Sequence, residues 1–488
     1  MTHSYLPAGS MSMAVLARSA AMLLATTLLS ACAAFGPART PPVVATSGQY
    51  SMAPPSPRLP DDHGPPQQLV TGAAPVPDWW LAFDSPALTA LVGEALEKNA
   101  SLAAARANLR AAHEQVRGQV GDNLYPHVDA ALAPSRQRAL SIPDLPQQTL
   151  LYNVFAAELQ SSWTLDFFGA SKLADRALLG QVRAQAYELE AARRSVAYNV
   201  VLAAINAASL QAQVDAVAAY ADAAEQRARQ LRGRFELGSA SHLEMLSAEE
   251  EAAEAQRLLP PLHRQLLAVR HAEGVLLGRT PDAAPAPLAL AELHLPGTLP
   301  VALPSELLHQ RPDILAAEAV VRASADAAGA ASAALYPSLS LSATYGRGGF
   351  DWSTFASPAG AIWSAGASLT QPLFHGGALR ARARQEQASY DAAVAQYRQT
   401  VLSAFQSVAD TLVALEDDAR ELEQAERSAD ALKQAQEELE ERYAAGSAQF
   451  YAVLGARSQY QNARVTSIEA RAARLTDSAA LLDAMGNP

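Results

Sequence analysis

Cysteine, aromatic residues and positive charge are all scarce in this 488-residue sequence. The single cysteine, Cys32, excludes a disulfide framework and a zinc site built from several thiolates. Aromatic residues make up only 6% of the chain and charged residues 18%, and the net charge of −12 provides no basic surface for nucleic acid. Hydrophobic residues, by contrast, make up 50% of the sequence, and the abundance of Ala and Leu among them favours helices.

The sequence also lacks the motifs of the common enzyme classes. It has no His-Glu-x-x-His motif, no Gly-x-Ser-x-Gly nucleophile elbow, no Walker loop and no dinucleotide-binding glycine motif. The ten histidines are scattered, and His263 and His271 share a helical stretch without a third metal ligand. The sequence therefore predicts neither an enzyme nor a bound metal or other cofactor.

Residues 1–31 have the pattern of a secretory signal peptide. Arg18 precedes the apolar run 20–25, which is shorter than the ~20 residues that a membrane-spanning helix needs. The segment ends in Leu29-Ser30-Ala31-Cys32, which resembles the lipobox of bacterial lipoproteins. Cys32 is therefore predicted to be acylated, with palmitate among its acyl chains, and to anchor the mature protein in the outer membrane, because no aspartate follows it. A free thiol buried in the protein is the alternative.

Residues 32–78 are predicted to tether this lipid anchor to a folded body. They are rich in Pro, Ser and Ala, with proline most dense at 53–57 and 64–66. Such a composition cannot bury a core and favours an extended chain. Two interpretations remain open: a spacer, or a segment that wraps over the surface of the body.

The rest of the chain is an internal repeat with an offset of about 210 residues. Four pairs of motifs return in the same order: Leu124-Tyr125-Pro126 with Leu335-Tyr336-Pro337, Phe167-Phe168-Gly169 with Phe374-His375-Gly376, Arg234–Ser239 with Arg442–Ser447, and Leu276-Leu277-Gly278 with Ala484-Met485-Gly486. We therefore divide the chain into a first repeat, residues 79–290, and a second repeat, residues 291–488, of similar predicted fold.

Each repeat contains two segments of alternating apolar and polar residues. They predict strands at about 127–136, 154–167, 337–346 and 361–374. Runs of ~10 residues with one apolar and one small polar face are typical of transmembrane strands around a wet lumen, although a half-exposed soluble sheet has the same alternation. The signal peptide, the lipobox and the aromatic residues Trp163, Tyr345 and Trp363 favour the membrane interpretation.

A very long helix is predicted after each pair of strands. Residues 171–236 contain no proline and residues 378–445 contain neither proline nor glycine. At 1.5 Å per residue, ~66 residues give a helix of about 100 Å. Glycine in the left-handed position ends these helices at Gly238 and Gly446, and Ser241 and Ser447 are predicted to cap the returning helices at about 242–277 and 451–485. Shorter helices are predicted at about 86–121 and 304–334.

Four strands in one chain are too few for a membrane barrel, for which ~8 is the usual minimum. An open strand edge is not tolerated in hydrocarbon, so several chains must share one barrel, and a cyclic homotrimer is the simplest closed arrangement. The sequence thus predicts a mainly α protein with a transmembrane β-barrel continued by a long helical tube, an object suited only to conduction.

The chain resembles the TolC-like outer-membrane factors, and among them the NodT-type efflux lipoproteins. The resemblance covers residues 79–488 and rests, besides the repeated motifs, on Trp79-Trp80, Phe83, Leu88, Ala95-Leu96-Glu97-Lys98-Asn99, Arg311-Pro312-Asp313-Ile314 and Phe374-His375-Gly376-Gly377. It implies a trimeric α-barrel/β-barrel channel that docks with a periplasmic adaptor (membrane fusion) protein and an inner-membrane pump of the resistance-nodulation-division (RND) type. It also implies passive export of drugs or other toxic compounds, hence antibiotic resistance, without a cofactor.

The resemblance also implies two sites. The periplasmic turns would contact the adaptor through Leu237, Gly238, Ser239, Ala445, Gly446 and Ser447, which serve as helix caps at the same time. The periplasmic gate would lie just inside the turns, with Glu244 as its acidic residue and Tyr451, beside Phe450, as its bulky residue. Where the family commonly has an aspartate, this chain has Gly455. The acidic ring is therefore half present, and a mainly aromatic constriction is expected.

Two alternative functions remain open at this stage. A structural periplasmic lipoprotein without a pore accounts for the helices and the lipobox but not for the alternating strands. The second alternative is the same channel serving type I protein secretion or metal efflux, because the pump and the adaptor choose the cargo.

Overall fold

The structure of the protein is a computed structural model that describes residues 35–44, 48–50, 56–59, 66–73, 77–140 and 149–486. The predicted signal peptide and Cys32 lie outside these residues. In chain order the helices are α1 (Pro86–Lys98), α2 (Ala100–Leu124), α3 (Ala170–Glu236), α4 (His242–Leu276), α5 (Pro304–Gln310), α6 (Pro312–Ala333), α7 (Trp352–Ala356), α8 (Ala378–Ala444) and α9 (Phe450–Ala484). The strands are β1 (Gln68–Thr71), β2 (His127–Leu132), β3 (Ser135–Leu140), β4 (Thr149–Leu165), β5 (Thr298–Val301), β6 (Ser338–Gly349) and β7 (Ala361–Thr370).

The two repeats contain matching long helices. α3 and α8 have 67 residues each, and the returning helices α4 and α9 have 35 each. Ala-rich sequence without proline permits α3 and α8 to run without interruption. α4 continues through Pro260 and Pro261, which the sequence also placed inside a returning helix.

Each of the shorter predicted helices is in fact two helices. The first breaks at Asn99, where the backbone is extended and the side-chain oxygen accepts from the N–H groups of Ser101 (2.9 Å) and Leu102 (3.2 Å), so that Asn99 caps α2. The second breaks at Arg311, because Pro312 disfavours a helical backbone in the residue before it.

The residues at these breaks hold the ends of the returning helices. The Asn99 amide donates to the carbonyl of Leu276 (2.8 Å), and the Arg311 guanidinium donates to the carbonyl of Ala484 (3.0 Å). Both are carbonyls of a last helical turn, which have no partner within their own helix. The motifs Ala95–Asn99 and Arg311–Ile314 thus have a structural role, because Asn99 and Arg311 each hold the end of a returning helix.

The alternating segments form one antiparallel sheet in the order β2-β4-β6-β7. β3 also pairs with β4, in the same register as β2, so that β2 and β3 are one strand interrupted at Pro134. The sheet is therefore four strands wide in the described residues. β4 of the first repeat pairs with β6 of the second, from Phe155 opposite Gly349 to Leu165 opposite Leu339.

Parts of the segment predicted as a tether pack against the body, which favours the second of the two interpretations, although Val43 within it is 96% exposed. β1 pairs in parallel with β5. Just before β1, the fully buried Gln67 accepts from Nε of Arg474 (3.0 Å) and donates to Oγ of Ser478 (3.1 Å). Proline-rich composition keeps this segment extended, and specific hydrogen bonds then bind it to the surface.

The first described residues of the chain are held in the same way. The ring of Phe35 lies 4.9 Å from the ring of Tyr336. Gly36 has a φ of +103°, and a Cβ on it would come within 2.9 Å of the Cα of Gly329. Only a glycine permits this backbone conformation and this close approach.

The described residues pack into two compact units, and each unit draws on both repeats. One contains the described part of Met1–Pro42, Ala111–Arg183 and Glu318–Gln396, and it includes the four-stranded sheet. The other contains Val43–Arg110, Ala184–Ala317 and Tyr397–Pro488, and it includes both helical turns. Packing and sequence repeat divide the chain differently, because elements of one repeat pack against their counterparts in the other.

Candidate docking and gate site

Both long helices end in the same hydrogen-bonded turn. Gly238 and Gly446 each have a φ of +74°, the left-handed conformation predicted for them. In both turns the glycine N–H and the next N–H donate to carbonyls of the last helical turn, at 2.8 to 3.0 Å (Gly238 to Phe235, Ser239 to Arg234, Gly446 to Tyr443, Ser447 to Arg442). This is the Schellman motif, which satisfies the last carbonyls and makes each turn a rigid, preformed surface.

The six residues of the predicted adaptor contact are all exposed at these turns. Leu237 is 85% exposed, although it is a large apolar side chain. The predicted capping role of Ser241 is confirmed, but that of Ser447 is wrong. Its hydroxyl donates back to the carbonyl of Arg442 (3.0 Å), and Gln449 is the residue before α9, which begins at Phe450.

Glu244 occupies the first turn of α4 and forms a capping box with Ser241. Its carboxylate accepts from the N–H (2.8 Å) and hydroxyl (2.9 Å) of Ser241, whose hydroxyl in turn accepts from the Glu244 N–H (3.2 Å). The hydroxyl of Tyr443, at the end of α8, donates to the other carboxylate oxygen at 3.3 Å. These hydrogen bonds, the one from the Ser241 backbone first, hold the pKa of Glu244 below its ordinary value. Glu244 is thus ionised at neutral pH and connects the two turns.

The adjacent aromatic residues of the predicted gate have opposite environments. Phe450 is 7% exposed and packs among small and apolar residues of α3 and α4, with its ring 5.5 Å from that of Tyr443. Tyr451 is 81% exposed. Gly455, one helical turn further along α9, is also exposed, and a Cβ on it would meet nothing within 4 Å. Tyr451 and the space beside Gly455 are therefore open to solvent, whereas Phe450 packs in the protein interior.

A buried ion pair lies further along the same helices. Glu251 of α4 is 6% exposed and accepts from the Arg227 guanidinium of α3 at 2.9 Å. The hydroxyl of Tyr220 donates to the same oxygen at 3.2 Å, and burial raises the pKa of this hydroxyl. A buried pair of this kind fixes how two helices pack, because removing one partner leaves the other charge uncompensated.

The predicted site residues did not include Tyr443 or a second ion pair near the predicted gate. Arg457 of α9 donates through Nε to Glu440 of α8 at 2.6 Å. A signal for Tyr443 was present, since it replaces Phe235 of the first turn motif and adds a hydroxyl at that position. Arg457 and Glu440 had no such signal, because charges on a long helix are usually solvated.

The sheet has one polar and one apolar face. On the polar face small hydroxyl side chains meet across neighbouring strands, with Thr164 and Ser340 at 3.3 Å and Thr344 and Ser364 at 2.7 Å. On the apolar face Leu159, Tyr345 and Trp363 lie in one row across β4, β6 and β7. The predicted alternation therefore persists across the sheet, as in strands between lipid and a wet lumen.

The described residues contain no group of side chains suited to a metal ion and one helix apolar enough to cross a membrane. In the part of the chain that the structure describes, no three His, Cys, Asp or Glu side chains are placed to hold a metal ion. α3 contains an 18-residue window apolar enough to cross a membrane, but 61% of that window is buried within the protein, as in the core helix of a folded domain.

Comparison with known proteins agrees with this architecture. The profile of the family described as "Outer membrane efflux protein" matches residues 91–272 and 303–487. The chain is 30% identical over 473 residues to the "Pyoverdine export outer membrane protein OpmQ" of Pseudomonas aeruginosa, a match that covers 94% of this chain and 96% of that protein. It is 31% identical over 436 residues to the "Toluene efflux pump outer membrane protein TtgC" of Pseudomonas putida, covering 86% and 87%.

A solved structure extends the comparison to the fold. The outer-membrane channel OprN superposes with a TM-score of 0.80 at 25% sequence identity, over 92% of this chain and 99% of that chain. The chain therefore belongs to the outer membrane efflux protein family: it is an outer-membrane efflux channel of TolC-like fold with a long periplasmic helical part.

Proposed function

We propose that three copies of the chain form one closed channel. The observation that carries this proposal is the width of the sheet. It has four strands in the described residues, and its edge strands β2 and β7 each pair on one side only. Since ~8 strands are the usual minimum for a barrel and an open edge is not tolerated in lipid, the sheet needs further copies. Three copies in a ring supply twelve strands, with the hydroxyl face toward the lumen.

We propose that the two turns are the docking surface for a periplasmic adaptor protein, which connects the channel to an inner-membrane pump of the RND type. Both turns are exposed and rigid, and they present Leu237 and Ala445 between hydrogen-bonded helix ends. A preformed surface loses little entropy on binding, which favours docking of a complementary helical tip.

The gate is proposed to be a ring of Tyr451 side chains with Glu244 nearby. Tyr451 is exposed and lies one helical turn from Gly455, where no side chain fills the space. Glu244 contributes a negative charge held by its capping hydrogen bonds. Phe450 has a supporting role, because its burial fixes the start of α9.

The proposed cargo is a class of small organic compounds, exported passively and without a cofactor or an enzymatic step. The relatives that support this are named for pyoverdine export and toluene efflux, and a further one, FusA of Burkholderia cepacia, is named a fusaric acid resistance protein. Family membership rules against the lipoprotein without a pore. Protein secretion and metal efflux are the outcomes to test against.

Acylation of Cys32 is proposed to anchor each copy in the outer membrane. The support is the lipobox-like sequence that ends at Cys32, together with the docking of Phe35 and Gly36 on the body only a few residues later. Several acyl chains, at about 0.8 kcal/mol per buried CH₂, hold a protein firmly at a membrane.

Single-channel recording in planar bilayers tests the conduit and the gate together. The wild type is expected to show discrete, small openings, and Tyr451→Ala larger ones, because truncation widens the aromatic ring. Glu244→Gln is expected to lower the preference for cations while keeping the capping box, which accepts Gln as well as Glu. Glu244→Ala serves as the control that loses the charge and the cap together.

The possible results separate the two parts of the proposal. Silent bilayers for every variant would contradict the conduit. Openings of unchanged size in Tyr451→Ala would remove Tyr451 from the gate and leave the conduit intact.

A further inference from the structure

The charged side chains of the sheet are divided between its two faces according to their sign. The strands β2, β3, β4, β6 and β7 contain five Asp, Glu, Lys or Arg residues, which are Asp129, Arg136, Arg138, Glu158 and Arg347. The two acids belong to the polar face and the three arginines to the apolar face. In a chain with a net charge of −12, the apolar face of these strands thus carries positive charge alone.

The register of the sheet assigns the three arginines to the apolar face. Their partners on β4 are Asn153 for Arg136, Leu151 for Arg138 and Ala157 for Arg347. All three partners lie an even number of residues from Leu159, which is on the apolar face, and side chains alternate between faces along a strand. A hydrogen bond agrees with this assignment, because Nε of Arg138 donates to Oγ1 of Thr149 (3.1 Å), which lies on the same face of β4. The three arginines are exposed.

The arginines also lie at the end of the sheet that is farthest from the long helices. β4 ends at Leu165, just before α3, so its beginning at Thr149 is the end that faces the cell exterior. From Leu165 back to Phe155, a strand tilted by about 40° rises by about 25 Å, the height of the apolar band of a membrane barrel. Arg136 and Arg138 lie beyond this band, at the level of the outer headgroups.

Aromatic residues mark the outer rim of the band. The ring of Phe155 lies 6.0 Å from that of Trp352 and 6.2 Å from that of Phe355, both in α7, and Trp352 is 66% exposed. Arg347 begins just inside this rim, but its Nη1 donates to the carbonyl of Ala356 at the end of α7 (2.7 Å). Its guanidinium group is thus drawn from the apolar band toward the headgroups, as long basic side chains near a membrane surface usually are.

We propose that Arg136, Arg138 and Arg347 bind the phosphate groups of lipopolysaccharide, the phosphorylated glycolipid of the outer leaflet. A guanidinium group offers two parallel N–H donors to a phosphate, and this match makes arginine a strong ligand for phosphate. The inference rests on the proposed closed channel, because it requires that the apolar face of the sheet contact lipid.

Charge complementarity and position identify the lipid. Acyl chains that cover the apolar band would bring the phosphates attached to them to the level of the arginines. Arg136 and Arg138 are separated by about 7 Å along β3, and the three strands β3, β4 and β6 spread the arginines over a width of about 10 Å. This spread suits a headgroup with several phosphates better than a phospholipid or a free phosphate, each of which has a single one.

Binding of lipopolysaccharide to the full-length protein in detergent tests the proposal. The wild type is compared with the triple variant Arg136→Gln/Arg138→Gln/Arg347→Gln. An arginine near an anionic lipid surface changes the affinity about five-fold, so the triple variant is expected to bind about 100-fold more weakly. Arg138→Gln alone should lose about five-fold. Replacement of all three arginines by lysine keeps the charge without the planar fork and should give an intermediate affinity.

Matched controls separate the site from net charge and from acyl-chain contacts. Arg117→Gln/Arg229→Gln/Arg257→Gln removes the same charge from exposed positions on α2, α3 and α4 and should bind as the wild type does. Dephosphorylated lipopolysaccharide should bind the wild type about as weakly as intact lipopolysaccharide binds the triple sheet variant. Inorganic phosphate and vesicles of phosphatidylglycerol, at the same phosphate concentration, should not displace it.

Several results would overturn the site. They are an unchanged affinity in the triple sheet variant, an equal loss in the helix control, and equal binding of the dephosphorylated lipid. Displacement by inorganic phosphate would indicate a site for free anions, and displacement by phosphatidylglycerol a site for anionic lipids in general.

Single-channel recordings distinguish a failure of this inference from a failure of the proposed conduit. The triple sheet variant should conduct with the conductance and ion selectivity of the wild type, because its substitutions lie outside the lumen. Conducting channels with unchanged affinity for lipopolysaccharide overturn the site alone. A changed ion selectivity would place the arginines in the lumen and overturn their assignment to the lipid face. Silent bilayers for the wild type and the variants alike would contradict the conduit and, with it, this inference.

Discussion

At the scale of residues, the neighbours Phe450 and Tyr451 have opposite environments, one suited to packing and the other to the proposed gate. The Phe450 ring is buried against α3 and α4, whereas the Tyr451 ring is in solvent. We expect Phe450→Ala to lower the free energy of unfolding by about 3–5 kcal/mol, because it leaves a cavity. Tyr451→Ala is expected to change it by no more than about 0.5 kcal/mol. Thermal unfolding of the purified variants checks both, and equal losses would contradict the assigned environments.

Glu273 of α4 gives the protein a pH-dependent stability. It is 1% exposed, one carboxylate oxygen has no hydrogen-bond partner among the described residues, and burial raises its pKa to about 7 against the attraction of Arg270 and Arg279. A raised pKa means that the folded protein binds a proton at the Glu273 carboxylate more tightly than the unfolded chain does. Its contribution to stability is therefore complete at low pH and is lost as the pH rises toward 7.

Replacing Glu273 by glutamine is expected to remove this dependence. Glu273→Gln keeps the size of the side chain without a charge, so its melting temperature should exceed that of the wild type at pH 8, and the difference should shrink at pH 5. Melting curves across this range are the measurement. Glu254→Gln, on the exposed face of the same helix, is the control, and an equal effect there would argue against burial of Glu273 as the cause.

At the scale of elements, the turns depend on glycine at one position each. Gly238→Ala must hold a φ of +74° with a Cβ present, which is expected to cost about 1–2 kcal/mol. Gly233→Ala, inside α3, meets nothing within 4 Å and is expected to stabilise the helix by roughly 0.5–1 kcal/mol. Denaturation of the two variants measures their free energies of unfolding, which are expected to shift in opposite directions. It tests whether the turn conformation or glycine content as such determines stability. Shifts of the same sign would contradict the turn geometry.

At the scale of the whole molecule, the proposed lipid anchor would be a second attachment to the membrane, separate from the sheet. Cys32→Ser is expected to abolish labelling by radioactive palmitate, because the chain has no other cysteine. The variant should nevertheless remain in the outer-membrane fraction, since the apolar face of the sheet holds it there. Labelling that persists would contradict acylation at Cys32, and release into the periplasm would show that the sheet alone does not hold the chain.

Features encoded by neighbouring residues were predictable from the sequence alone. Alternation over a strand, freedom from proline over a long helix, and a glycine at a helix end each specify a backbone conformation within a few residues. The internal repeat added the architecture, because two similar segments predict two similar elements. The turns at Gly238 and Gly446 and the faces of the sheet were accordingly predicted as the structure has them.

Contacts between distant residues were decided only by the tertiary structure. The path of the proline-rich segment depends on partners such as Arg474 for Gln67, more than four hundred residues away in sequence. The bond from Tyr443 to Glu244 and the opposite directions of Phe450 and Tyr451 depend on how four helices meet. A periodic pattern determines which face of an element is buried, but it carries no information on which element covers that face, because many partners offer similar apolar surface.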